Sequence, residues 1–465
     1  MSIIIPANSA VGGGFEVANS CRFDSSYLTR TPSSASNRKT WTWSGWVKRS
    51  SLSTGNQILF EAKDSSGFVE KLQFNSSDQL EYDHDIAGTD YTVRSDMLFR
   101  DTNAWYHIVI AKDTTQSTET NRLLFYANGQ GLSTTEFQLG YPPQNYDGLI
   151  NSTNAHYVGS NSTSEYFVGY MSEVVFINAA QLAPTSFGEF DEDSGVWKPL
   201  ESVADLTFST NGFYQNYQDS SALGNDVSGN NNDFSTSGLA AIDQTTDTCT
   251  NNFCTWNFIA DNQDVTFSEG NTKVAHGSSL TRRPVVSSFG VDKGKWYWEW
   301  EAEGSPSGGN LEIGIINYAS PSTQGRYLGQ ALTTGSSFAT YIGDGSIVVA
   351  SSVIGSSFAT YSGGNVIGVA VDVDNEKIYF YKDGSLVNSG GTDYSSMSAG
   401  SGFIFMSNAD RSGSSTYTAS VNFGQPNATL DNAGVADGNG FGSFEHTPPS
   451  GYLSLCTTNI SETNS

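Results

Sequence analysis

The stretch Asn365–Leu386 reads NVIGVAVDVDNEKIYFYKDGSL. Apolar residues keep a strand-like rhythm from Val366 to Val373 and again from Lys377 to Lys382, interrupted by Asp374-Asn375 and closed by the turn pair Asp383-Gly384. The spacing predicts two antiparallel strands, a hairpin of a β-sandwich. A second hairpin of the same kind lies far upstream, where WYHIVIAK (105–112) is followed, after a Thr/Ser-rich loop, by RLLFYANG (122–129). Within it FYANG (125–129) echoes FYKDG (380–384). The chain therefore reads as two sandwiches in series, with function expected in their loops.

A chain of 465 residues exceeds the usual size of one hydrophobic core. Its 48 Gly, 22 Tyr, 27 Phe and 9 Trp, among abundant Ser, Thr and Asn, give many short aromatic strands parted by turn residues. The fold class is all-β. Asp and Glu number 48 against 22 Lys and Arg, a formal net charge of −26. That charge repels polyanions and offers no basic stripe, so nucleic acid is excluded as a partner. It also fits solubility in a salty medium, where screening weakens self-repulsion.

Cys21, Cys249, Cys254 and Cys456 are too few and too scattered for a disulfide scaffold. Cys249 and Cys254, with four residues between them, lack the matching His or Cys pair of a zinc site. Buried thiols in a protein assembled in a reducing cytoplasm are the expectation. The opening MSIIIP has no basic segment and its apolar run stops at Pro6, unlike a secretory signal. No run of about 18 apolar residues occurs, so neither export by the usual route nor membrane insertion is expected.

Taken in order, residues 1–20 read as a docking segment: Ile3–Ile5 is β-prone and has no partner of its own, so it covers a sandwich edge or docks on a neighbour in an assembly. From Cys21 to Lys198 strands follow one another, with Trp41 and Trp43 on one face of theirs. The pieces WTWSGWVKRSS (41–51), QILFEAKD (57–64), WYHIVIAKD (105–113), NRLLFYANGQ (121–130), HYVGSN (156–161) and FVGYMSEVVFINAAQLAP (167–184) occur in the order of the concanavalin A-like/laminin-G family, which this region resembles. The resemblance implies a jelly-roll sandwich with a concave sheet, of a kind that binds glycans or acts as a spacer.

Residues 199–290 are less regular. Loop composition at 220–234 and 245–252 alternates with apolar anchors such as Phe208, Phe213, Tyr214, Phe253 and Trp256, which predicts an ordered, Asn/Ser-rich connector rather than a free tether. From 291 to 425 the pieces KWYWE, EIGI, NVIGVAVDVDNEKIYFYKDG and VNFGQ resemble the SPRY family, which implies a bent β-sandwich that binds other proteins through loops without catalysis. Within it GSSFATY (335–341) recurs at 355–361, a duplicated hairpin that lengthens one edge rather than a solenoid, which needs about three or more copies. In the closing segment, 426–465, FGSFEHTPPSGYLSLC (441–456) resembles the end of bacteriophage structural proteins that carry a SPRY domain, as SGNNNDF (228–234) resembles their connector.

Glu299, Glu301 and Glu303 share one face of a strand, opposite Trp296, Trp298 and Trp300. Strand-borne carboxylates are also the tools of retaining glucanases, where the pair stands about 5–5.5 Å apart. In the SPRY-like half, however, they read as surface charges. His84, His107, His156, His276 and His446 come with no nucleophile signature, and His107 reads as structural. Asp83, His84 and Asp85 read as a loop where calcium could bind, with a plain turn as the ordinary alternative. Asp372 and Asp374 read as turn residues of the opening hairpin. No catalytic, cofactor or resident metal site is assigned. Aromatics in loops beside Asn, Asp or Arg would stack on a sugar and bond its hydroxyls. By loop position these are Tyr141, Tyr146 and Asn151 in the first half and Tyr318, Tyr327 and Arg411 in the second.

The expectation is a non-enzymatic bacteriophage virion protein, a tail fibre, spike or head-decoration subunit. Its partners would be other virion proteins and a host-surface glycan or protein receptor, and it would form a symmetric homo-oligomer such as a trimer. The rival expectation is a polysaccharide depolymerase, whose mark would be a carboxylate pair converging in the concave face of residues 21–198.

Overall fold

A computed structural model of the protein describes residues 14–86, 88–259, 265–277, 284–304, 306, 311–317, 338–397, 403–410, 416–431 and 434–464. They fall into two compact units that divide between Asn251 and Asn252. Both are built from antiparallel sheets, and among the described residues the α-helix is the short Thr457–Asn464. The expected edge patch Ile3–Ile5 lies outside the described residues.

In the first unit two eight-stranded sheets face each other. The back sheet runs Gln130–Gly131, Leu123–Ala127, Trp105–Asp113, Thr40–Arg49, Gly169–Asn178, Ser20–Phe23 and Gln244–Thr245, with Phe213–Gln215 also pairing Gly169–Asn178. The upstream hairpin is there in the register Ile108↔Ala127 to Lys112↔Leu123. The front sheet runs Thr134–Gln138, Asp90–Leu98, Gln79–Asp85, Val69–Phe74, Gln57–Lys63, Ala155–Val158, Tyr27–Arg30 and Ser235–Ser237. Trp41, Trp43, Phe60, Leu72, Phe74, Tyr82, Ile108, Ile110 and Phe176 fill the core between them. The period of two sends Trp46 to the opposite side of its sheet, where Val17, Trp105, Tyr170, Trp197 and Cys249 cover it.

That outer layer is tied by buried polar contacts. Asp247 accepts from Lys48 Nζ at 2.7 Å and from Trp105 Nε1 at 3.0 Å, all of them buried. His107 Nδ1 accepts the Trp197 indole N–H at 3.0 Å, so the proton sits on Nε2, which donates to Ser44 Oγ at 2.8 Å. Burial pulls His107 down to about 3, keeping it neutral. It is a packing residue.

In the second unit an eight-stranded sheet runs Val265–Ser268, Lys273–His276, Tyr417–Asn422, Lys295–Glu303, Val366–Asp372, Lys377–Lys382 and Ser385–Leu386, with Thr392–Asp393 on Lys377–Lys382. A six-stranded sheet runs Val285–Val291, Ile404–Asp410, Leu311–Asn317, Phe338–Ile342, Ile347–Val349 and Ser352–Gly355. The opening hairpin pairs Ile367↔Lys382 to Asp372↔Lys377. Its turn is held by Asp372, whose carboxylate accepts Asn375 N at 3.1 Å and Lys295 Nζ at 2.8 Å. Asp383 and Gly384, at φ 47° and 75°, make the tight exit that the Asp-Gly pair promises.

Three expectations change at this level. Residues 199–290, read as one connector, contribute to both sandwiches: Phe213–Gln215, Ser235–Ser237 and Gln244–Thr245 join the first, and Val265–Ser268, Lys273–His276 and Val285–Val291 join the second. The polar loop at 226–233 is ordered because Asp226 accepts the N–H groups of Tyr214, Ser228 and Asn232 at 2.8–2.9 Å.

The second change concerns Glu299, expected as a surface charge. It is fully buried, because residues 434–456 lie over its face of the sheet. Its carboxylate accepts the backbone N–H of Glu445 and of His446, each at 2.8 Å, and Tyr297 OH at 3.1 Å. Glu303 also has a partner, Lys273 Nζ at 2.7 Å.

The third is the repeat. Gly335–Ser337 lie outside the described residues. Phe338–Tyr341 of the first copy is strand, whereas the second copy is a loop after the edge strand Ser352–Gly355. There Tyr361 OH donates to Tyr341 O at 2.9 Å. The four residues described in both copies, Phe338–Tyr341 and Phe358–Tyr361, are strand in one and loop in the other.

Candidate functional site

Alternation along the front sheet of the first unit sends Phe60, Ala62, Leu72, Phe74, Leu80, Tyr82 and Val93 into the core. The residues between them take the opposite face, where Glu61, Lys71, Gln73, Glu81 and Thr92 are buried and Lys63, Asp83 and Arg94 are half-buried. Register lines one row across six strands: Thr29↔Tyr157, Tyr157↔Glu61, Glu61↔Lys71, Lys71↔Asp83 and Asp83↔Thr92. A second row sets Gln73↔Glu81 and Glu81↔Arg94.

The loop after Val158 brings Glu165 to this face. Its carboxylate accepts Asn56 Nδ2 at 2.9 Å, Asn161 Nδ2 at 3.0 Å and Lys71 Nζ at 3.4 Å. Lys71 thus lies between Glu165 and Asp83, the latter 3.8 Å away. Thr92 Oγ1 donates to Asp83 at 3.0 Å. Glu81 accepts Gln73 Nε2 at 2.6 Å, Asn75 Nδ2 at 3.0 Å and Arg94 Nε, and the Arg94 guanidinium lies 3.6 Å from the Phe137 ring centre. Beside Glu61, the half-buried rings of Tyr27, Tyr157 and Tyr166 cluster at 5.9–6.5 Å.

Glu61 differs from its neighbours. It is 1% exposed, yet neither carboxylate oxygen has a hydrogen-bond partner. Burial raises it to about 7, against the opposing pull of Lys71 and Lys63. Asp83 is raised too, first by burial, with Glu81 and Asp90 adding to the shift. Linkage fixes the sign for Glu61. The folded state holds a proton that the unfolded chain releases near its ordinary value of about 4.3, so stability falls as pH rises from there through about 7. Glu61→Gln is expected to remove this part of the pH dependence, measured as the difference in urea midpoint between pH 5 and pH 8. An unchanged difference in the variant would refute the assignment.

Under this face a buried network fixes the rim. Glu70 and Lys112, both fully buried, form an ion pair across the two sheets. Glu70 also accepts Tyr82 OH at 2.9 Å and Ile150 N at 2.8 Å, and Tyr82 OH lies 3.2 Å from His84 Nδ1. Burial alone would raise Glu70, but the Lys112 ammonium, with the Ile150 N–H, brings it down to about 2. A Cβ at Gly148 would collide with the Glu70 carboxylate and the Lys112 ammonium, so the loop reaches the network only through glycine.

The residues singled out in the sequence fare unequally. Tyr141 is buried, with its hydroxyl 3.0 Å from Thr134 Oγ1. Asn151 is buried at φ 69° and donates through Nδ2 to Asn37 O and Asn178 Oδ1 at 2.6 and 3.0 Å. Both hold the loop rather than face solvent. Tyr146 is half-buried, its ring 5.3 Å from that of His84. Tyr318, Tyr327 and Arg411 lie outside the described residues. Asp83, His84 and Asp85, expected in a loop, belong to the strand Gln79–Asp85, with His84 pointing inward and held neutral at about 4 by burial. Among the described residues no three His, Cys, Asp or Glu side chains converge as a metal site.

The row through Glu61 was missed because its members sit on six strands and meet only in register. Its signal lay in QILFEAK, VEKLQF and LEYDHD, where single charges alternate with apolar residues.

Residues 24–184 match the family model of the concanavalin A-like lectin/glucanases superfamily, and residues 295–418 match that of the SPRY domain. The chain thus carries a region of the concanavalin A-like lectin/glucanases kind followed by a SPRY region. No curated protein matches it. Among solved structures it is similar to the SPRY domain of human HERC1, at 17% identity over 34% of this chain and 92% of that one, with a TM-score of 0.28. A protein of Bacteroides ovatus, described as a putative carbohydrate binding protein, matches at 18% identity over 36% of this chain and 45% of its own length, TM-score 0.25. A pentraxin of Limulus polyphemus matches at 14% identity over 36% and 78%, TM-score 0.28. The candidate face thus belongs to the lectin-like domain, and the tail over Glu299 belongs to the unit that contains the SPRY domain.

Proposed function

We propose that the protein is a non-catalytic adhesion subunit. Its lectin-like domain takes a glycan across the outer face of the front sheet, and its SPRY domain takes a protein through its loops. The observation that carries the reading is the row Tyr157, Glu61, Lys71, Asp83 and Thr92, a ring beside alternating donors and acceptors, which is what a saccharide's apolar ring face and hydroxyls require. We place the subunit in a bacteriophage particle, as a fibre, spike or head-decoration component assembled in the host cytoplasm into a homo-oligomer. The resemblance of 228–234 and 441–456 to phage structural proteins supports this, as does the strongly acidic chain.

A glycan panel tests the first part. Tyr157→Ala is expected to weaken the best ligand at least about tenfold, the worth of one good aromatic contact, while a ligand bound equally by the variant would move the site elsewhere. Particles labelled with an antibody to the chain test the second, and labelling of no virion would overturn it. Glu61 favours one further reading, a depolymerase. A carboxyl at about 7 suits a general acid, and Asp83 shares its face. Release of reducing ends from host polysaccharide, lost in Glu61→Gln, would decide for it.

A further inference from the structure

We infer that the glycan of the front sheet carries a free amine, a hexosamine chain, and that Glu61 is the counter-ion of its ammonium group. This rests on the glycan reading of that face and narrows it.

The cations of the face are largely committed. Lys71 lies between Asp83 and Glu165, and Arg94 is held by Glu81 and stacked on Phe137. Lys63, at the strand end, acts on Glu61 through space. The carboxylates Glu61, Glu81, Asp83, Asp85 and Glu165 outnumber them, although Lys71 is the strongest single charge acting on both Glu61 and Asp83. An anionic sugar would meet that excess of carboxylates and the −26 of the whole chain.

Glu61 is the one carboxylate of the row that is buried with both oxygens unmatched. A neutral hydroxyl would supply one donor, whereas an ammonium supplies three and a charge, which makes ionising this buried group favourable. The rings of Tyr27, Tyr157 and Tyr166, inclined to one another by 36–67°, give an aromatic wall beside it that a pyranose uses and a lysine side chain does not need. That favours a sugar over a basic peptide.

The test is titration calorimetry of the full chain at pH 6 and physiological ionic strength with a glucosamine hexamer and its fully N-acetylated counterpart. The free amine is expected to bind at least about tenfold tighter, the scale of one buried charge-assisted bond. Binding should release close to one proton per site, read from buffers of different ionisation enthalpy, as Glu61 gives up its proton. Glu61→Gln should erase the preference and the proton release, so that the two hexamers bind the variant alike. A preference that survives in Glu61→Gln would be the general field of an acidic chain and would overturn the inference. Equal affinities that Tyr157→Ala abolishes would overturn the amine and keep the glycan site, and equal affinities that Tyr157→Ala leaves intact would overturn both. A lysine hexamer bound as tightly as the glucosamine hexamer would overturn the choice of a saccharide.

Discussion

Replacing Lys112 with alanine is expected to destabilise the lectin-like domain by about 3–5 kcal/mol, the cost of stranding a buried charge. Lys112 and Glu70 are both fully buried, and Glu70 would be left with Tyr82 OH and Ile150 N as its donors. Denaturant unfolding of residues 14–251 would show a lowered midpoint with little change in slope. The double variant Lys112→Met with Glu70→Leu should recover much of the loss, because two apolar groups of similar volume leave no charge behind. A single variant as stable as the parent would mean that the pair is solvated. The pH dependence has the opposite sign to that of Glu61. Glu70 is depressed when folded, so its contribution is complete above the unfolded value of about 4.3 and is lost as pH falls toward about 2.

The second large effect belongs to Glu299. Glu299→Ala leaves the N–H groups of Glu445 and His446 facing an apolar gap, and each orphaned buried donor costs about 1–3 kcal/mol. The tail should lift before the sandwich unfolds, exposing Tyr297, Phe444 and Tyr452. Limited proteolysis should then cut within 434–456 in the variant and spare the parent. Equal protection in both would show that the tail is held by its aromatic contacts alone. His446 adds a pH term. The Glu299 carboxylate 3.4 Å from its Nδ1 raises it, with Glu445 and Asp383 adding, so its help is complete below the unfolded value and fades as pH rises through the folded one.

The strands were legible because their evidence is local. In NVIGVAVDVDNEKIYFYKDG the period, the turn pair and the partner strand all lie within one window, and the same holds for Trp105–Ala127. What was not legible depends on segments far apart. Nothing near Glu299 announces that a segment some 146 residues later will cover it, so a charge on an alternating strand reads as solvated. Asp83-His84-Asp85 looks like a turn by composition, because the inward place taken by a histidine hides the strand's period. Tyr141 and Asn151 sit in a loop, as expected, but both are buried, with the Tyr141 hydroxyl beside Thr134 Oγ1 and the Asn151 amide N–H bonded to Asn37 O. The face built on Glu61 needed the register of six strands, which sequence order alone does not supply.

Each unit also brings its own ends together. In the first, the Val17 N–H donates to Thr250 Oγ1 at 3.0 Å, and in the second Phe253 forms an antiparallel bridge with Cys456. A module closed on itself in this way can be spliced into a surface loop of an unrelated host without stretching either junction, or be re-cut to start at a new point. Each could therefore be moved as a cassette, which makes the pair open to exchange by recombination and convenient to transplant by design.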